Sequence, residues 1–257
     1  MIDKNIRAMA GGATAFMTPG TLPALAMLTM RIIFFRNQLK EVPAMMRVSA
    51  LVGTALAVVL STWLAAHASG DETVIELWDT VKAPPPPEVK PVTVDPATCA
   101  LLVLDIEQRT CNAEARPRCV ALVPAIAAFL HRARAKGMAV VYSVTTVGTP
   151  ETILDPVKPG QGEPVVKSSV DKFHNTELEK VLKDRGIRTV IIAGTAAEGA
   201  VLHTATGAAM RGFAVIVPVD GMTSATPYAE QYTAWHLLNA PGTRQKTTLT
   251  RFDLIGF

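Results

Sequence analysis

Residues 91–257 are predicted to form a doubly wound α/β domain, a three-layer α/β/α fold whose parallel sheet has about six strands with helices on both faces. Three observations predict it. Short apolar runs read as strands buried on both faces, beginning with Ala100–Ile106 (ALLVLDI). Segments with apolar residues at helical spacing lie between those runs. The links between the two kinds of segment are short, as parallel α/β units require.

Leu122–Lys136 is the first helix. It has Leu122, Val123, Ile126, Phe129 and Leu130 at helical spacing, Pro124 in its first turn and Gly137 at its end. Met138–Val144 (MAVVYSV) is the second buried strand. Pro150–Glu163 is a loop rich in proline and glycine, and Pro164–Lys167 a short strand. Thr176, with Glu179 three residues on, reads as a capping box that opens a helix ending near Gly186. Thr189–Ala193 is a strand, Glu198–Arg211 a helix, Phe213–Asp220 a strand and Ala229–Asn239 a helix. Thr247–Ile255 is the last strand. Reacting groups in such sheets gather at the carboxyl ends of the strands, where Asp105, Lys167 and the Gly194–Ala200 turn fall.

The chain ahead of the domain has a different character. The 257 residues are 49% hydrophobic with a mean hydropathy of +0.27, and the excess sits between Ala8 and Ala68. Val48–Ala66 is nearly all apolar, follows Lys40 and Arg47, and ends in the small-x-small pattern Ala66-His67-Ala68. These are the three parts of a secretory signal peptide. The alternative is a membrane anchor, since a run of roughly 19 apolar residues just spans a bilayer. Translation from Met45 or Met46 makes residues 1–44 an upstream over-extension or a disordered tail, and residues 45–68 the signal or anchor. Both readings place the domain outside the cytoplasm: periplasmic or secreted after cleavage, or held at the inner membrane facing outward. Residues 69–90 are a linker. Thr73–Lys82 has room for one helical turn or two, and Ala83-Pro84-Pro85-Pro86-Pro87 is extended polyproline II.

The net charge of +3 and the lack of a basic run with interleaved aromatics exclude nucleic acid as a partner. The cysteines are Cys99, Cys111 and Cys119. Cys111 and Cys119 bracket a polar loop, CNAEARPRC, without zinc-finger spacing and without a histidine nearby. In an oxidising compartment a disulfide closes that loop; otherwise both remain thiols. The five histidines do not pair at ligand spacing, so neither a metal nor another cofactor is expected.

Three places carry candidate chemistry. Asp105 closes a buried strand and is either a general acid or base or a cap for the following loop. Lys167 follows Val165-Val166 at a strand end, where a cation holds an acid or stabilises negative charge on a substrate; Lys172, five residues on, competes with it. Gly194-Thr195-Ala196-Ala197-Glu198-Gly199-Ala200 links a strand to a helix through small residues, so backbone N–H groups can face a ligand. His203 lies one turn past Ala200, as a site residue or a packed histidine.

The order of these pieces resembles the isochorismatase-like hydrolases, the cysteine hydrolase superfamily. LLVLDIEQ is similar to the family's first strand, with Gln108 displaced by one position. KSSVDKFHNTEL is similar to a lysine followed six residues later by phenylalanine and then Thr-x-Leu, a register that selects Lys167 over Lys172. GTAAEGAVLHTATGAAMRGFAVIVPVDG is similar to the third catalytic strand–helix unit, with Thr204, Gly212 and Asp220 in place. The resemblance implies a site built from Asp105, Lys167 and Ala200. Ala200 stands where most of the family has its cysteine nucleophile. It implies substrate contacts at Thr195, Ala196, Gly199 and Phe173, and an oxyanion-hole-like pair of N–H groups at Ala196 and Ala200 beside a cis Thr195–Ala196 bond. The zinc- or iron-binding residues of nicotinamidases are not seen.

A methyl group cannot attack a carbonyl, so a covalent route through position 200 is excluded. Isochorismatases proper, with glycine there, hydrolyse an enol ether by protonation and water addition. By that analogy Asp105 is the general acid and Lys167 its electrostatic partner. The acid must hold its proton near neutral pH, so burial has to outweigh the lysine. Cys111 is a remote substitute for the missing thiol, silenced by any disulfide. The expectation is a hydrolase of a small polar metabolite, with a small-molecule substrate and a homo-oligomeric state. The alternatives are a non-catalytic domain that keeps the pocket to bind a small molecule and a structural subunit of an oligomer.

Overall fold

The computed structural model describes residues 73–257. The expectations for residues 1–44 and for the apolar segment at 45–68 lie outside the described residues. The chain divides into two compact units, residues 1–82 and 83–257. In the first, Val74–Leu77 form one helical turn capped by Thr73 and Glu76, followed by a 3-10 turn at Trp78–Thr80.

In the second unit the strands are β1 (Val92–Thr93), β2 (Cys99–Leu104), β3 (Ala139–Val144), β4 (Val165–Lys167), β5 (Thr189–Thr195), β6 (Ala214–Pro218), β7 (Met222–Thr223), β8 (Thr247–Thr250) and β9 (Ile255–Gly256). The helices are α1 (Pro117–Ala135), α2 (Leu178–Asp184), α3 (Leu202–Met210) and α4 (Pro227–Asn239). The main sheet runs β4-β3-β2-β5-β6-β8, with β7 pairing beside the end of β5. Every pairing in it is parallel.

Side-chain alternation explains the three layers. On β2, Leu102 and Leu104 face a core with Leu178 and Leu182 of α2, Ala205 and Ala208 of α3, and Leu237 of α4. Leu101 and Val103 face the opposite core, with Cys119, Val123, Ile126 and Leu130 of α1. A strand buried on both faces has no polar side to display, which is why β2 reads as a continuous apolar run.

Three elements depart from the sequence expectation. The first helix starts at Pro117, not Leu122, because its buried stripe reaches back to Cys119; Pro117 takes the first-turn position, and Pro124 lies inside the helix. The capping box at Thr176 does not form. The Thr176 hydroxyl donates to the Lys172 carbonyl at 2.5 Å, while Glu179 pairs with Lys183 at 2.5 Å and Arg211 at 2.9 Å. The last predicted strand breaks after Thr250: the Phe252 N–H turns to Asp220 Oδ1 at 3.0 Å, and β9 then leaves to pair with β1. Phe252 stacks on Phe129 of α1 with ring centroids 4.7 Å apart, which holds that turn down.

Cys111 and Cys119 form a disulfide with Cα atoms 5.3 Å apart. It ties the loop after β2 to the first turn of α1. With only 8 residues of sequence separation, the entropic gain from closing this loop is about 2–3 kcal/mol. Cys111→Ser combined with Cys119→Ser is therefore expected to lower unfolding free energy by about that amount. Urea titration of both forms under non-reducing conditions measures it.

Candidate active site

The site is built where β2 and β5 end side by side. Leu104 pairs with Gly194, and Gly194 has φ +141°; a Cβ there would lie 2.1 Å from the Leu104 carbonyl oxygen. Only glycine allows the two strands to close at this point. Beyond it the chain makes a cis Thr195–Ala196 bond, as the family resemblance implies. It then enters a wide π-type turn, Ala197–Val201, that leads into α3. The Ala196 carbonyl accepts from the Gly199 N–H at 3.1 Å and the Val201 N–H at 3.2 Å, passing over the Ala200 amide between them. Ala200 itself is buried. The Thr195 hydroxyl is committed to the Thr223 carbonyl at 3.0 Å.

Asp105 follows β2 with φ +52°, the left-handed region that aspartate tolerates better than most residues. Its side chain is almost fully buried. Oδ1 accepts from the Ser143 hydroxyl at 2.7 Å, and Oδ2 meets Lys172 Nζ at 2.7 Å. The capping alternative thus fails, since both oxygens are held from β3 and from a distant loop.

The lysine is the main correction. Lys167 ends the edge strand β4 with its side chain exposed. Lys172 is fully buried beside Asp105. The loop between β4 and α2 folds back over the sheet and carries Lys172 with it. The Ser168 hydroxyl lies 2.9 Å from both the Asp171 and the His174 carbonyls, the Lys172 N–H donates to Thr204 Oγ1 at 3.2 Å, and Asn175 takes φ +54°. Lys172 Nζ meets Ser169 O at 2.6 Å, Ser168 O at 3.2 Å and Asp105, so its three protons have three acceptors. Register to Phe173 pointed to Lys167, but the lysine that meets Asp105 is the residue directly before that ring. Phe173 is also placed differently from its expected substrate contact. Its ring is buried in the core, 6.1 Å from Phe213, with the Arg211 guanidinium 4.6 Å from its centroid.

Burial pushes the Asp105 carboxyl above the ordinary carboxylate range; Lys172 and Ser143 act against this, and the nearby Glu107 adds to it. The native chain therefore holds this proton at pH values where the unfolded chain has released it, and native stability falls as pH rises between the two. Glu107 and Ser143 escaped the sequence reading. The signal for Glu107 was an acid two residues beyond Asp105 inside LLVLDIEQ. Ser143, alone in an apolar strand, offered only its position opposite Leu104.

The cysteines and histidines fall outside this pair. Cys111 is in the disulfide and has no thiol to offer. Cys99 begins β2, about 20 Å from Asp105 at strand rise; it is buried, and burial pushes its thiol up to about 12. The His203 ring is exposed, with Nδ1 2.9 Å from the Gly199 carbonyl. An open groove of about 470 Å³ lies along α3, lined by Asp171, Glu198, His203, Tyr232 and His236 among others. Among the described residues no cluster of His, Cys, Asp and Glu could hold a metal ion.

The two lysines predict opposite behaviour. Lys172→Met leaves Asp105 Oδ2 and the Ser168 and Ser169 carbonyls without their shared donor and is expected to cost about 3 kcal/mol or more. Lys167→Ala removes an exposed side chain and is expected to stay within about 0.5 kcal/mol of the parent. Parallel denaturation curves of the two variants check both.

Known proteins supply the remaining context. Residues 99–249 match the isochorismatase domain. Streptothricin hydrolase of Streptomyces noursei is 35% identical over 132 residues, 47% of this chain and 52% of that protein. N-carbamoylsarcosine amidase of an Arthrobacter species is 32% identical over 94 residues, 36% of each chain. The chain thus spans about half the length of the first and about a third of the second. The crystal structure of an isochorismatase family protein from Desulfovibrio vulgaris subsp. vulgaris str. Hildenborough shares the fold, with a TM-score of 0.56 at 23% identity, covering 61% of this chain and 95% of that one. With the parallel sheet and a domain match over more than half its length, the chain belongs to the isochorismatase family.

Proposed function

We propose that this protein is a hydrolase of a small polar metabolite in which Asp105 carries the proton and water supplies the attacking oxygen. The observation that carries the proposal is the buried Asp105–Lys172 pair at the end of β2, whose carboxyl burial drives toward its acid form. A carboxylic acid whose hold on its proton is strengthened by burial is the kind of group general-acid catalysis uses. Asp105 gives its proton to the substrate atom that takes up the breaking bond's electron pair. Water adds at the electrophilic carbon, and the proton it sheds restores the acid. Lys172 is a positioning residue, because its three donors are already spent on protein acceptors. The Ala200 amide, passed over by the Ala196 carbonyl, is the natural donor for a substrate oxygen.

Ala200 stands where the family resemblance puts the cysteine, and its methyl group forms no acyl intermediate. The two curated relatives are by name a hydrolase and an amidase, which supports hydrolytic chemistry for this chain. One feature favours a second reading, a non-catalytic binder: Ala200 is inert. The disulfide supports placing the domain outside the cytoplasm, periplasmic or secreted. Exposed Met210, Tyr228, Tyr232 and Trp235 support self-association.

Asp105→Asn keeps the side chain's shape and removes the proton donor. Turnover across a panel of enol ethers, ureides and amides is expected to fall by about 10²-fold or more in this variant. In the parent, turnover is expected to decline as pH rises through the raised Asp105 value, because the acid form is the active one. No turnover by the parent on any panel member, with ligand binding retained in Asp105→Asn, selects the binder. Ala200→Cys is expected to gain cleavage of amides that the parent leaves intact.

A further inference from the structure

The outward faces of the helices are not alike. α2 covers its solvent side with charges, pairing Lys180 with Asp184 and Lys183 with Glu179 at 2.5 Å each. α3 and α4 pack against the same core, yet their exposed positions carry no carboxylate, lysine or arginine. α4 instead presents Tyr228, Tyr232 and Trp235, which are 74%, 40% and 45% exposed. Their i, i+4, i+7 spacing makes one stripe. Met210, 76% exposed, stands at the end of α3. The acid of α4, Glu230, is turned away to Arg118 Nε at 2.8 Å and the Ser224 N–H at 3.0 Å. Exposed aromatic residues without charges among them are the composition of an interface core.

The stripe borders the open groove between α3 and α4. Tyr232 and His236 wall that groove on one side, His203 and Met210 on the other. A ridge next to a groove is self-complementary, because a two-fold axis lays the ridge of each copy in the groove of the other. The charges at its edge suit the same pairing. Asp171 and Glu198 line the groove together with Arg211, so two-fold pairing can set the acids of one copy against the base of the other. An anionic lipid surface would meet both carboxylates and leave the concavity unfilled. Tyr232 and His236 already rest edge to face with ring centroids 5.8 Å apart, so that wall has little freedom left to lose on docking. We infer that the outer face of α3 and α4 is an isologous interface for a second copy of this chain, with the Tyr228–Tyr232–Trp235 stripe of one protomer seated in the α3–α4 groove of its partner.

The inference rests on the self-association proposed above and names its face; the test separates the two. Full-length protein is kept in a nonionic detergent, since Val48–Ala66 is apolar, and its mass is followed by sedimentation equilibrium over a dilution series. The parent is expected to hold an even number of chains. Tyr232→Glu combined with Trp235→Glu puts carboxylates into the contact and is expected to raise the dissociation constant by about 100-fold or more. The mass then halves at concentrations where the parent is intact. Met210→Glu, on the facing wall, is expected to act in the same direction, and it serves alone if the double variant loses the parent's circular dichroism. Val120→Glu, which charges an exposed apolar position on α1, is expected to leave the mass unchanged. A parent of one chain overturns both self-association and this inference, and gives the face to a different partner. An assembly left intact by whichever of the stripe and wall variants folds, or dispersed equally by Val120→Glu, overturns this inference while self-association stands.

Discussion

Asp105 and Lys172 are both taken out of water, and that constraint shapes everything near them. A buried ammonium and a buried carboxyl group recover their lost hydration only when their remaining protons and lone pairs are also satisfied. The chain meets this demand from three directions. Ser143 on β3 supplies a hydroxyl for one Asp105 oxygen. The loop between β4 and α2 brings the lysine together with its two carbonyl acceptors. Thr204 on α3 holds that loop by its backbone. Removing any of these leaves a buried polar group of this network without a partner, so the loop, the sheet end and the helix start are energetically coupled.

That coupling does not involve the side chain at position 200. The turn into α3 is made by glycine at 194, the cis bond and the wide turn at Ala197–Val201, and none of these depends on the side chain at position 200. In the hydrolase proposed above, a proton carrier and an oxygen-binding amide suffice for adding water.

Most of the sheet was legible because strands buried on both faces leave no ambiguity: β2, β3 and β5 are each bounded runs of apolar residues. The carboxyl-end location of Asp105 and the turn at Gly194–Ala200 followed from the same alternation. Lys172 was not legible. Nothing in KSSVDKF distinguishes a lysine that ends an edge strand from one that a loop folds inward, because the difference lies in contacts to Ser169, Thr204 and Asp105 that are distant in sequence or made by carbonyls. Thr176 looked like a helix cap for a related reason. Its hydroxyl is drawn to the Lys172 carbonyl by the loop that buries the lysine. The break after Thr250 depends on Asp220 catching a backbone N–H from 32 residues away.

Both margins of the sheet carry protection against growth. An open strand edge is a template for another chain, and proteins blunt it with short strands, charges or a covering segment. On one margin β4 is only Val165–Lys167, and exposed Lys167 puts an ammonium where an incoming strand would have to dock. On the other, the Lys90 N–H takes the Leu249 carbonyl of β8 at 2.9 Å, so the segment after the prolines lies along that edge. Proline has no N–H to pass on, which stops such a segment from recruiting a further strand. The lysine first sought in the catalytic centre is thus suited to keeping these molecules from stacking edge to edge.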